Sequence, residues 1–149
     1  MTGPASDPQT AATHVRRLTN LTAALTDRLE AETRAFAAHR PQDIVEGLSR
    51  TQEMANLYRR ESAQLKAQPG LASGAPVSDR MGLIKATERF EAVLASHTAA
   101  VTAARTISEG IVRAIAGQVV ETRATGSGYG ATGRAATADG TAITLNRSA

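Results

Sequence analysis

The stretch "QPGLASGAP", residues 68–76, decides how this chain folds. Pro69, Gly70, Gly74 and Pro76 crowd nine positions, and none of the four sits cheaply inside a helix. On either side the sequence changes character, and apolar residues return every three or four positions, which is the period of an amphipathic helix. The break is therefore a hinge between two helices, and a connection this short lays them antiparallel.

Upstream, Ile44, Leu48, Thr51, Ala55, Tyr58, Ser62 and Leu65 form a heptad-like stripe over a helix at about 41–67. Pro41 marks its start, because proline disfavours helical geometry at Arg40 and fits a first turn, with Asp43 favouring the positive helix start. A kinked continuous helix is the alternative. Further upstream, Val15, Leu18, Leu21, Leu25, Leu29 and Phe36 mark a helix at about 7–39, with Asp7 as N-cap, Pro8 in its first turn and Glu32 filling the one gap. Downstream, Ile84, Phe90, Leu94, His97, Val101, Ala104, Ile107, Ile111, Ile115 and Val119 form the longest stripe, over about 78–124 with Ser78 or Asp79 as cap. Periodicity ends there. "TGSGYGATGR", residues 125–134, reads as the start of a flexible Gly-rich tail over 125–149, yet it holds Tyr129, one of only two tyrosines in the chain. The expected architecture is all-α: an elongated antiparallel three-helix bundle over 1–124, a helical hairpin with a long third helix, and a flexible C-terminal tail.

Composition narrows the function. The 149 residues suit one domain, and only 3% are aromatic. The formal charge of +3 is a mild excess and makes no nucleic-acid footprint. Cysteine is absent, which excludes disulfides and thiolate metal sites. His14, His39 and His97 are too scattered to share a metal with carboxylates. "GSGYGATG" has neither the strand before it nor the Lys-Ser/Thr ending of a phosphate loop. No Ser/His/acid set converges. The expectation is a non-enzymatic protein without cofactor or metal, and without nucleic-acid or membrane-inserted partners. No secretory leader or membrane-length apolar run is read, so a cytoplasmic location is expected. Arg16-Arg17 and Arg59-Arg60-Glu61 read as solvated faces with intrahelical ion pairs, and His97 as a satisfied interhelical residue.

The helices also differ in reach. At about 1.5 Å per residue they span roughly 50, 40 and 70 Å, so the first two cover the third only to about residues 105–112. "GIVRAIAGQVV", residues 110–120, is left over. Ile111, Val112, Ile115, Val119 and Val120 then form an apolar patch of the kind that marks an interface. Ala103, Gly110 and Gly117 are seven apart, and glycine costs up to about 1 kcal/mol in a helix, so close approach of another helix is expected there. An early end of the helix at Gly110 or Gly117 is the other reading.

Three segments carry a resemblance. "LTDRLEAETRAFAAHRPQDIVEGLSRTQEMANLYRRESAQL" (25–65), "AARTISEGIVRAIAGQVV" (103–120) and "GYGATGR" (128–134) resemble, in turn, the paired helices, the late long helix and the Tyr-Gly-x-x-Gly element of the FlgN family of flagellar type III export chaperones. The closing "LNRS" is similar to a terminal element of alphaproteobacterial members. The resemblance implies a cytoplasmic coiled-coil chaperone that keeps hook–filament junction (hook-associated) proteins soluble and brings them to the flagellar export gate. It implies cargo contact at Ile107, Ile111, Val112, Ile115, Val119 and Val120, and gate docking at Tyr129, Gly130 and Gly133. The chain itself is expected to be a monomer or weak homodimer. A helical coiled-coil adaptor or scaffold without export role is the rival reading, and a small basic nucleic-acid-associated protein a more distant one.

Overall fold

The computed structural model describes residues 7–126. They form helix α1 (Pro8–Ala37), a 3-10 helix (Pro41–Gly47), α2 (Leu48–Ala67), a short α3 (Pro69–Ser73) and the 50-residue α4 (Val77–Gly126). Among the described residues there is no strand. The chain divides into two compact units, Met1–Arg105 and Thr106–Ala149. Tyr129, Gly130 and Gly133 lie outside the described residues, as does the rest of the expected tail beyond Gly126.

The breaks are where backbone chemistry puts them. The Asp7 carboxylate accepts from the Gln9 amide, and Pro8 opens α1. Two bonds close α1 at its far end, His39 N–H to Phe36 and Arg40 N–H to Ala35. His39 takes φ 56°, the left-handed residue of a Schellman turn. Pro41 then opens a new segment, but its first seven residues wind as a 3-10 helix rather than as the α-helix expected from residue 41. The break at 68–76 is also not plain loop. Pro69 occupies the first position of a single helical turn, where its missing N–H costs nothing, and that turn buries Leu71. Helix α4 starts at Val77, so Ser78 and Asp79 lie inside its first turn instead of capping it.

Within Met1–Arg105, α1 is the central element. Ala11, Val15, Leu18, Leu25 and Leu29 are all buried along it. Ala11 and Val15 pack with Ala75, Leu65 and Leu83; Leu25 and Leu29 pack with Phe90, Met54, Tyr58 and Val93. Cross-links fix direction. Arg17–Glu61 and Arg28–Thr51 make α2 antiparallel to α1, while Arg16–Asp79, Arg89–Asp27 and His97–Glu32 make α4 parallel to it. The three long helices form the all-α bundle expected of the sequence.

Its details differ from the stripe reading in two ways. Ile84, Leu94 and Val101, expected on the inner stripe of α4, are exposed. The face turned inward carries Leu83, Phe90, Val93, His97, Ala100 and Ala104, one residue out of phase in places. And Arg16 and Arg17 pair between helices, with Asp79 at 3.0 Å and Glu61 at 2.8 Å, not within one helix.

Candidate functional site

The core of the first unit is closed by polar bonds as much as by apolar contact. Thr22 and Thr26 are fully buried on α1 and donate to the carbonyls of Leu18 and Thr22, each four residues back. This turns a hydroxyl inward without leaving it unsatisfied. Glu32 is 6% exposed. Its Oε1 accepts from Thr51 Oγ1 at 2.5 Å, and its Oε2 lies 3.8 Å from His97 Nε2. Arg28 donates to Thr51 Oγ1 at 2.9 Å and to the Gly47 carbonyl at 2.6 Å. A methyl group at Gly47 would come within 2.7 Å of that guanidinium, so the end of the Arg28 side chain would have to shift to admit one. His97 Nδ1 sits 3.2 Å from Thr33 Oγ1, with the ring edge on Phe36. His97 is thus the interhelical residue the sequence suggested. On the outer side Arg89 reaches Asp27 at 2.8 Å and Glu30 at 3.0 Å, and its bonds to these two hold its pKa above the ordinary guanidinium value. None of this is catalytic geometry. These groups are bonded to one another and orient the three helices.

The second unit offers a different surface. Its described part, residues 106–126, continues in unbroken helix through both Gly110 and Gly117, so the helix ends at neither. Ile107, Ile111, Ile115 and Val119 recur every four residues and form one slanting row, with Val112 and Val120 beside it. All six are between 45% and 67% exposed, whereas the aliphatics of α1's core face are at most 6% exposed. A methyl group at Gly110 or Gly117 would meet nothing within 4 Å. The close approach expected at these glycines is therefore not made by this chain among its described residues. Local bonds such as Arg113 Nε to the Glu109 carbonyl and Thr122 Oγ1 to the Gln118 carbonyl stay within the helix.

Such a row has one evident capacity. Full burial of a Val or Ile side chain contributes about 1.5–3 kcal/mol, so covering four half-exposed ones yields on the order of 3–6 kcal/mol before ordering costs. The surface has the size and character to hold an apolar helix. Among the described residues no group of three metal-ligating side chains occurs, and no helix is long and apolar enough to cross a membrane.

The sequence located the row and missed the polar core. The buried Thr22 and Thr26 fall between the apolar positions that were counted, while Glu32 was read only as filling a gap in its stripe and Thr51 only as a stripe position. A usable signal was present, since Thr22, Thr26 and Glu32 occupy α1 positions three or four residues from Leu18, Leu25 and Leu29.

Fold and surface together define a class: a helical protein whose covered bundle is accompanied by an aliphatic helix face open to a partner. No family model and no solved structure matches the chain. It is 43% identical over 138 residues to the flagellar basal-body protein FlbY of Caulobacter vibrioides, covering 91% of this chain and 93% of that protein. The chain belongs to the family of this flagellar basal-body protein.

Proposed function

We propose that the chain is a flagellar export chaperone that holds hook–filament junction subunits on its aliphatic row and delivers them to the export gate of the flagellar type III apparatus. The observation that carries this reading is the exposed row Ile107, Ile111, Ile115 and Val119 on a helix with open glycines. Two other lines support it: the flagellar family and the resemblance of residues 25–65, 103–120 and 128–134 to FlgN chaperones. A subunit awaiting export keeps apolar helices uncovered. A helix-in-groove partner shields them and needs no catalytic group to do so. On this reading the protein works in the cytoplasm, without enzymatic activity, cofactor or nucleic acid, as a monomer or weak homodimer. Tyr129, with Gly130 and Gly133, serves the gate: a tyrosine offers large contact area with few rotors, and its burial site is on another protein.

The test is capture of purified C-terminal segments of hook–filament junction proteins by the full chain. Retention above a helix of the same composition in scrambled order is expected. Equal retention of both would count against the proposal.

The name of this relative favours one second reading, a helical adaptor resident at the basal body. It differs in outcome: the chain would sediment with isolated basal bodies and leave free junction segments unbound.

A further inference from the structure

A second surface lies within Met1–Arg105, built from residues other than those of the aliphatic row. Between α2 and α4 runs an open groove of about 470 Å³. Its apolar floor comes from all three long helices: Leu18 of α1, Tyr58 and Leu65 of α2, and Leu83 of α4. Tyr58 leans on Phe90 with ring centroids 4.9 Å apart, which closes one end. The rims are unlike. The α2 rim carries Arg59 and Lys66, seven residues apart and so on one helix face, while the α4 rim carries Glu91.

Of the cations in this unit, Arg16, Arg17, Arg40, Arg50 and Arg89 have carboxylates within 4 Å. Among the described residues Arg59 bonds only the Asn56 side chain, at 3.1 Å, and Lys66 pairs with no carboxylate. Two unpaired positive charges along one edge of an apolar trough make a directional site. From Tyr58 to Lys66 the groove is about 12 Å long, the reach of an i, i+4, i+7 ridge.

We infer that this groove is a docking site for an amphipathic helix of a partner protein, with an apolar ridge on the floor and an acidic flank against Arg59 and Lys66. The bound helix completes a four-helix arrangement in this unit and is oriented by the difference between the rims. The site is separate from the row at Ile107–Val119, so the chain can engage two partners.

The test uses the full chain carrying Tyr129→Phe, which leaves Tyr58 as the sole tyrosine, with no tryptophan present. The probe is an alanine-based helical peptide of about 18 residues with leucines at i, i+4 and i+7 and glutamates along one flank. A second peptide replaces those glutamates by lysines. Binding of the acidic peptide with a change in Tyr58 fluorescence is expected, as is a loss of at least about tenfold in affinity when Arg59→Glu and Lys66→Glu are combined. The lysine peptide should then bind the reversed variant better than the original. Ile111→Asp with Ile115→Asp should leave the acidic peptide's affinity unchanged. Equal binding of both peptides by the unaltered rims overturns the inference. So does loss of binding in the Ile111, Ile115 variant, or attachment to vesicles of anionic lipid in preference to the acidic peptide.

Discussion

Thr51 brings three groups to one hydroxyl. It donates to Glu32 at 2.5 Å, accepts from Arg28 at 2.9 Å and lies 3.2 Å from the Gly47 carbonyl. Because Glu32 is buried, removing its donor leaves a polar group without its partner, at a cost of about 1–3 kcal/mol. Thr51→Val, which keeps the shape, should lower the melting temperature by several degrees. An unchanged melt would mean that the hydroxyl contributes nothing net. Residue identity was readable here but residue role was not: Thr51 was placed on the apolar stripe correctly, while the reason for a threonine at that position came from α1. Gly117 gives the converse case. Its missing Cβ faces open space, so Gly117→Ala should raise helicity by circular dichroism, each such change being worth up to about 1 kcal/mol. On the chaperone reading the same variant should bind junction segments more weakly, because the added methyl stands where the partner's backbone approaches.

At the scale of the element, α4 shows why apolar counting has limits. It carries apolar residues on more than one face, so periodicity located the helix but left its rotation ambiguous. The stripe was read through Ile84 and Leu94, whereas the partner helices cover Leu83 and Val93. The end of the coverage was easier to read, since it depends on lengths. No described residue after Ala104 is buried or half-buried, close to the residue 105 at which α2 was expected to give out and short of the residue 112 expected for α1. Ile111→Asp combined with Ile115→Asp should therefore leave the thermal melt almost unchanged and, on the chaperone reading, abolish capture of junction segments. A collapse of the fold would instead make these two core residues.

For the whole molecule, the two units make separate demands. The first holds every buried residue among those described. Ending the chain after Arg105 should shift its melting temperature by no more than a few degrees while removing the aliphatic row and the tail. A large loss of stability would show that residues 106–149 support the bundle. On the chaperone reading, Tyr129→Ala should spare capture of junction segments and weaken binding to the export gate. Loss of capture would assign the tail to the subunit-binding surface.

The sequence by itself determined the three long helices, the Asp7 cap, the joints at 38–41 and 68–76 and the uncovered aliphatic row. Each of these rests on local chemistry: proline and glycine geometry, a side-chain cap, a period of 3.6, a difference in length. Only the tertiary structure decided which face of α4 turns inward, that Arg16 and Arg17 reach across to other helices, and that Glu32, Thr51, Arg28 and His97 form one polar core. Those outcomes depend on atoms distant in the chain meeting at bonding distance, and no pattern along a single helix contains that information.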